Sequence, residues 1–588
     1  MSETYANLVD LWQQSTQKFA ARNAFGSKTS AGWQWITYGE FKSQVDAFRA
    51  GLSELGIGLG DRVGLVSNNR VEWAVACYAS LGLGAAIVPM YEAQPASEWA
   101  FILRDSGAKA VLAATPAIFE QLLAAKPEIP NLAHVLGMAL PESDSRSYAH
   151  VLASGRGKTV APIQPAPHDI AGFLYTAGTT GEPKGVVLSH SNMVSNVNAV
   201  RALFPITCED NSLAFLPWAH AFGQTCELHM LTSYGCAIAI NDEVPNLVGN
   251  LAEVKPSILI SVPRIFNRIY DGVNKQMQDK PAPIRALFQR AIRAATERSR
   301  GKTLGLVDKA ALALANKLIF NKIRARMGGR LRYAVSGSAA LSREVGEFVD
   351  ALGIEVYEGY GLTETSPVAS VNYPEHRRMG SVGQAIPGVR IEIDTHVTGD
   401  PENGEIVVHG PCVMQGYHNR PKETGEVLTA DHGLRTGDMG RLDADGYLFI
   451  TGRIKEQYKL ENGKYVVPSV LEETLKLSPY IVNIMLFGHN KPHNVALVVA
   501  DVEAIKKWAN AKHHTLGELA KDPAVQQLIT QELAHYSADF KGFERPSKFA
   551  LITEDFTVEN GMLTPKLSLK RRKVLEKYGS LLESLYAK

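Results

Sequence analysis

Tyr175-Thr176-Ala177-Gly178-Thr179-Thr180-Gly181-Glu182-Pro183-Lys184-Gly185 follows the apolar run Ile170-Ala171-Gly172-Phe173-Leu174. The apolar run reads as a buried strand, and the eleven residues after it as the loop it carries. The glycines leave backbone N–H groups open to a ligand, the threonines add small hydroxyl donors, and Lys184 adds a full positive charge. That combination suits a polyphosphate. A lone glycine triad would be read as an ordinary turn; eleven residues alternating Gly and Thr and closing on Lys are harder to dismiss. No GxxxxGK[ST] pattern can be laid over the segment, so the expected ligand is a nucleotide bound without a P-loop.

Outward from this point, strands and helices alternate. Arg62–Val66, Ala86–Pro89 and Ala110–Ala113 read as strands, and Phe41–Leu55 and Ala74–Leu83 as helices. The pattern resumes at Leu213–Leu216, Ile238–Ile240 and Ile258–Ser261. Alternation of this kind predicts an α/β fold with parallel sheets covered by helices. Residues 264–332 differ: 17 Lys/Arg stand against 4 Asp/Glu, in helical patterns near Ile284–Arg300 and Val307–Met327. Two readings stay open for this basic insert, a pair of solvated helices or an arm that meets anionic headgroups or guides an anionic substrate. From Val389 to Phe449 short strands with Gly and Asp turns predict a small antiparallel β subdomain. An α+β segment follows from Gly452. The expected organisation is a large N-terminal domain, 1–451, with the insert at about 264–332 and the β subdomain at about 389–451, and a mobile C-terminal domain, 452–588.

The chain has 588 residues, 45% apolar and 21% charged, with a net charge of +1, which excludes a general nucleic-acid binder and requires more than one core. Cys77, Cys208, Cys226, Cys236 and Cys412 show no CxxC or zinc spacing and suit a reducing compartment. Met1 to Ala20 does not resemble a secretory leader, and no apolar run reaches membrane-spanning length. A cytoplasmic protein is expected, with any membrane contact peripheral.

Further motifs carry chemistry. In Tyr357-Glu358-Gly359-Tyr360-Gly361-Leu362-Thr363-Glu364-Thr365, glycines flank a ring that can stack on a base, and Glu364 can hold Mg²⁺ beside phosphates. Arg435-Thr436-Gly437-Asp438 is read as a carboxylate on a tight turn, able to accept from two ribose hydroxyls. Leu216-Pro217-Trp218-Ala219-His220-Ala221-Phe222-Gly223 sets His220 among aromatics. The stretch Gly452-Arg453-Ile454-Lys455-Glu456-Gln457-Tyr458-Lys459-Leu460-Glu461-Asn462-Gly463 is a charged joint before a glycine turn, fit for a fixed linker or a rotating hinge.

Together, and in this order over nearly the whole chain, these residues resemble the adenylate-forming superfamily of acyl-CoA synthetases, adenylation domains and beetle luciferases. Phe215–His220, Ile323–Gly329 and Asn560–Pro565 are most similar to the long-chain fatty acid–CoA ligases. The resemblance implies that a fatty acid reacts with ATP–Mg²⁺ to give acyl-AMP and pyrophosphate, and that CoA then takes the acyl group. It implies that Thr176, Gly178, Thr179, Thr180, Gly181 and Lys184 hold the β- and γ-phosphates. Gly337 and Ser338 would border the adenine and acyl pocket, and Gly359, Tyr360 and Gly361 the base. Thr363 would meet a phosphate, Glu364 the Mg²⁺, and Asp438 and Arg453 the ribose. His220 falls beside the attacking carboxylate, Lys455 at the hinge, and Lys459 and Gly463 on the CoA side.

Two positions depart from the family pattern. Ala177 replaces a serine in the phosphate loop, at a cost of about 1 kcal/mol for one hydrogen bond. In Leu563-Thr564-Pro565-Lys566-Leu567-Ser568-Leu569-Lys570-Arg571, Ser568 stands where the family has a lysine that supports adenylation. Positions 566, 568 and 570 share a face of an extended chain, so Lys566 or Lys570 is expected to take over. Transfer to a carrier protein, or a nucleotide-binding protein without activity, are the alternatives; a carrier domain after Lys588 is not expected. Fatty acid, ATP and CoA are the expected partners, without nucleic acid, and a homodimer is left open.

Overall fold

The computed structural model describes residues 4–176, 182–339, 341–397, 402–557, 559–563 and 569–587. Ile170–Thr176 forms the expected strand, but its partner is the next strand, Lys184–Ser189, in an antiparallel hairpin that pairs Thr176 with Lys184. The reason lies in the spacing: residues 177–183 are too few for a parallel crossover, which takes about a dozen or more.

The hairpin lies in a seven-stranded sheet. Its order is Gly416–Tyr417, Lys184–Ser189, Ile170–Thr176, Ala86–Met90, Arg62–Val66, Ala110–Ala113, His134–Gly137. The last four strands are parallel, as the alternation predicts. A nine-stranded sheet holds Asn211–Ala214, Ala237–Ile240, Ile258–Ser261, Tyr333–Ser336 and Val356–Gly361 in parallel pairs, with antiparallel strands at both edges. Both sheets are therefore mixed rather than purely parallel.

Local sequence explains the helices that cover them. Helix Tyr38–Glu54 starts at Thr37, whose side chain accepts from the Glu40 N–H while the Glu40 carboxylate accepts from the Thr37 N–H. Its Phe41, Val45, Phe48 and Leu52 are fully buried at helical spacing. The basic insert is helical as expected, over Pro263–Gln278, Ala282–Ser299, Leu306–Ala315 and Asn321–Arg326.

The chain divides into two compact units: residues 1–392 with 407–436 and 442–448, and residues 393–406 with 437–441 and 449–588. A four-stranded sheet runs in the order Arg390–Asp394, Gly404–His409, Leu434–Leu442, Leu448–Arg453. The second unit is α+β. Its three-stranded sheet, Ile481–Phe487, Asn494–Ala500 and Pro546–Ile552, packs Leu471, Ile529 and Leu533 on one side and Val574 and Leu582 on the other.

One element of the first unit has no counterpart in the sequence reading. Phe222–His229 is a π-helix, buried along its whole length. It carries Glu227, whose Oε1 accepts from the Ser212 hydroxyl at 2.9 Å. Burial pushes the Glu227 carboxyl up to about 8, from an ordinary 4.5. The folded state thus holds a proton there that the unfolded chain has lost, and this stability is fully present below about pH 4.5 and lost as pH rises through 8. Glu227→Gln keeps the shape and removes the titration. Its melting temperature should stay close to the parent's at pH 5 and exceed it by about 2 °C or more at pH 8.5; identical pH profiles for the two proteins would show that Glu227 does not titrate on unfolding.

Candidate active site

Lys184 is the first residue of its strand, and its Nζ stands 5.4 Å from the centre of the Tyr417 ring. The Tyr417 hydroxyl donates to Glu364 Oε1 at 2.8 Å. Three distant stretches of chain therefore meet at one phenol. The pairing that does this is backbone: Gly416 and Tyr417 run antiparallel to Val187 and Val186, and the His418 N–H donates to the Gly185 carbonyl at 2.8 Å. Burial and the Glu364 charge both raise the Tyr417 hydroxyl, so it stays protonated and remains a donor. Tyr417 was absent from the sequence reading. Its signal was the Gly416-Tyr417 pair, which repeats the glycine-aromatic pattern of Gly359-Tyr360.

Glu364 lies on the short turn Thr363–Thr365, just before a segment held by one buried amide. Asn196, on helix His190–Arg201, donates from Nδ2 to the Thr365 carbonyl at 3.3 Å and the Val368 carbonyl at 3.2 Å. Its Oδ1 accepts from the Val368 N–H at 2.6 Å. Asn192, four residues earlier on the same helix, donates to the carbonyls of Pro411 at 2.8 Å and Val413 at 2.9 Å. The Met414 N–H then donates to the Glu364 carbonyl at 2.9 Å. One helix thus fixes both the Glu364 turn and the approach to Tyr417.

Gly359, Tyr360 and Gly361 end the strand Val356–Gly361, paired with Val368–Val371. A Cβ at Gly361 would lie 1.7 Å from the Pro367 carbonyl oxygen, so only glycine fits. Thr363 is buried, and Tyr360 and Glu364 are half-buried. Beside this strand, burial lifts the Glu358 carboxyl to about 8 even though the N–H groups of Leu341 and Gly380 donate to it.

Gly337 and Ser338 follow the adjacent strand Tyr333–Ser336. Ser338 has φ +69°, uncommon for a non-glycine residue, and its side chain is exposed. A Cβ at Gly337 would stand 3.0 Å from the Phe222 ring, which places the turn after His220 directly against this corner. The His220 Nδ1 accepts from the Phe222 N–H at 3.2 Å, so in the neutral ring Nε2 carries the proton.

In the second unit, Arg453 Nε lies 3.0 Å from Asp438 Oδ1. Asp438 is buried and Arg453 exposed. The tight turn expected at 435–438 is not there: Asp438 lies inside strand Leu434–Leu442, because Gly437, at φ +71°, bends the strand without ending it. Lys455 is exposed on the turn Ile454–Glu456. Lys459 and Gly463 belong to the hairpin Tyr458–Lys459/Tyr465–Val466, with the Lys459 Nζ 5.4 Å from the Tyr465 ring centre. Lys570 is exposed at the start of helix Arg571–Ser584. Thr176 ends the hairpin strand; Gly178, Thr179, Thr180, Gly181, Lys566 and Ser568 lie outside the described residues.

Among the described residues no cluster of three His, Cys, Asp or Glu side chains could hold a metal ion by itself. Glu364 with the Tyr417 hydroxyl offers a single carboxylate beside a cation, Lys184. Such a site suits Mg²⁺ that keeps its waters and is bound mainly through phosphates.

A model of AMP-binding enzymes matches residues 12–418, and one of the AMP-binding enzyme C-terminal domain matches residues 455–588. The chain is 34% identical over 573 residues to a long-chain-fatty-acid–CoA ligase of Mycobacterium bovis, covering 95% of this chain and 93% of that protein. It is 32% identical over 617 residues to a peroxisomal long chain acyl-CoA synthetase of Arabidopsis thaliana, covering 100% of this chain and 86% of that one. Its fold matches the adenylation domain of a carboxylate reductase from Mycobacterium chelonae with a TM-score of 0.80 and 23% identity, over 100% and 92% of the two chains. The chain therefore belongs to the AMP-binding, adenylate-forming enzymes.

Proposed function

We propose that this chain is a fatty acid–CoA ligase acting on long-chain acids. In the first half-reaction a carboxylate oxygen of the acid bonds to the α-phosphorus of ATP, and the bond from that phosphorus to the bridging oxygen breaks. Acyl-adenylate and pyrophosphate result. In the second, the CoA sulfur bonds to the acyl carbon, the carbon–oxygen bond to AMP breaks, and the thiol proton passes to solvent. The named relatives, long-chain acyl-CoA synthetases over nearly the whole chain, support the substrate class.

The observation that carries the reading is the meeting of Lys184, Tyr417 and Glu364. A carboxylate approaching a triphosphate is repelled by its charge. Neutralising the leaving pyrophosphate and holding the reactants in line are the main tasks of such a site. Lys184 supplies positive charge to the phosphates. Glu364 would ligate the Mg²⁺ that arrives with ATP, which adds charge neutralisation at the phosphate oxygens. Tyr417 fixes the Glu364 carboxylate through its donated hydrogen bond.

Other roles follow the same reading. His220 borders the carboxylate to be activated, beside the Gly337–Ser338 corner. Tyr360, between Gly359 and Gly361, stacks on the base. Asp438, held by the Arg453 guanidinium, accepts from the ribose hydroxyls. Lys455 is the hinge residue, Lys459 and Gly463 serve the thiol step, and Lys566 or Lys570 supports adenylation. No described helix is long and apolar enough to cross a membrane.

Purified protein with ATP, palmitate and CoA should release AMP and form the thioester. Acyl-AMP alone would favour transfer to a carrier, and neither product would mean a chain without ligase activity. Lys184→Ala should slow palmitate-dependent exchange of pyrophosphate into ATP by about 100-fold or more, whereas exchange at the parental rate would remove Lys184 from the phosphate site. Tyr417→Phe should lower exchange by about tenfold and raise the Mg²⁺ concentration needed for half-maximal rate; an unchanged Mg²⁺ requirement would argue against orientation of Glu364. Lys455→Pro should leave exchange near the parental level while thioester formation falls, and equal loss of both steps would count against a hinge. Lys566→Ala and Lys570→Ala, made singly, should differ in exchange rate, the slower identifying the lysine that covers for Ser568; if both match the parent, neither does.

A further inference from the structure

The charge of this chain is separated in a way its net value conceals. Residues 264–332 hold 17 Lys/Arg against 4 Asp/Glu, while the rest of the chain holds 44 against 56. A protein close to neutral is therefore an acidic body with one strongly basic arm, and electrostatic attraction to an anionic surface is concentrated there.

The same arm exposes aliphatic side chains. Leu306, Val307, Leu314 and Leu318 are 85%, 63%, 49% and 42% exposed. Single exposed aliphatics are ordinary on protein surfaces. These four stand on helix Leu306–Ala315 and the π-helical turn Asn316–Phe320 that continues it, with Leu314 and Leu318 four residues apart and Leu306 eight before Leu314. The opposite side of this stretch is the packed one. Ala315, Ile319 and Phe320 are buried, and the Phe320 ring lies 6.2 Å from Phe288, which lies 6.2 Å from Phe348 on helix Arg343–Ala351. Folding therefore has an apolar face for this helix and uses it, and the outward leucines are additional to it. Lys309, Lys317 and Lys322 are exposed along the same stretch. The one carboxylate on helix Leu306–Ala315, Asp308, is held by Arg290 Nε at 2.7 Å.

From these observations we infer that the outward face of 306–322 is a docking surface for an anionic lipid bilayer. Exposed aliphatic side chains on one broad helix face, flanked by long lysines whose stems lie along apolar material while the ammonium groups reach headgroups, match an interfacial helix lying in the plane of a membrane. A second copy of this chain fits poorly. A two-fold contact through this face would set the basic arm against itself. The docking surface rests on charge and exposure; its use, delivery of a fatty acid that partitions into lipid, rests on the ligase reading above.

The test is sedimentation of the full-length protein with vesicles of phosphatidylcholine alone and of equal parts phosphatidylcholine and phosphatidylglycerol, without ATP or CoA. Binding should require phosphatidylglycerol and weaken as salt is raised. Removing one interfacial lysine should weaken it by about fivefold, and Lys309→Glu/Lys317→Glu/Lys322→Glu should abolish it. Leu306→Ser/Leu314→Ser/Leu318→Ser should also abolish it, at an unchanged melting temperature and an unchanged rate with octanoate in solution. No binding, equal binding to neutral vesicles, or variants that bind like the parent would overturn the inference. So would a parental dimer that the leucine variant converts to monomer, since the face would then belong to a second copy. Vesicle binding is read without turnover, so its failure leaves the ligase reading standing, and absence of palmitoyl-CoA formation leaves the docking surface standing.

Discussion

The Tyr417 hydroxyl bonds to a carboxylate more than fifty positions earlier in the chain, and the Tyr417 ring faces the ammonium group of Lys184. Each of these groups is chemically ordinary alone. A phenol buried beside a carboxylate stays protonated, so it can only orient Glu364 and cannot compete with it for a cation. The carboxylate keeps its remaining lone pairs for a ligand while its position is set. A lysine near the same ring brings positive charge close to that carboxylate without forming an ion pair that would consume both. Charge is thereby held ready for a polyanion instead of being cancelled inside the protein.

Backbone pairing builds this arrangement around the hairpin. The strand that starts at Lys184 pairs on one edge with Ile170–Thr176 and on the other with Gly416–Tyr417. The same six residues that position the lysine therefore template the tyrosine. Asn196 and Asn192, one turn apart on one helix, bond to the segments carrying Glu364 and leading to Tyr417. Buried amides of this kind have to be fully paired to be tolerated, which makes the register of both segments hard to shift. The absence of a side chain at Gly361 is equally restrictive, since the Pro367 carbonyl occupies the space.

The fold separates two kinds of demand. The sheets and the site require glycines, buried amides and neutral buried acids such as Glu227 and Glu358, each held in place by its surroundings. The basic arm carries its positive charge on exposed side chains and meets its packing needs through Phe288, Ile319 and Phe320. Lys309, Lys317 and Lys322 stay exposed outside that packing.

Much of this could be read along the chain because the relevant signals are local. Runs of β-branched and aliphatic residues mark strands at Arg62–Val66, Ala110–Ala113 and Ile258–Ser261, apolar spacing marks helix Tyr38–Glu54, and Gly, Thr and Lys together announce a phosphate ligand. Glycine on both sides of Tyr360, followed by Thr363 and Glu364, is legible for the same reason. What could not be read depends on which distant segments pair. Nothing near Tyr417 in sequence specifies Glu364 as its partner, and the place of Asp438 within a strand follows from neighbouring strands. The reversal of direction at the hairpin was open to a count of residues 177–183. The π-helix at 222–229 was not, because one extra residue per turn leaves no mark in the pattern of apolar positions. Local propensity and spacing named the chemical groups; long-range backbone pairing chose which of them meet, since hydrogen-bond register is settled between strands and not within them.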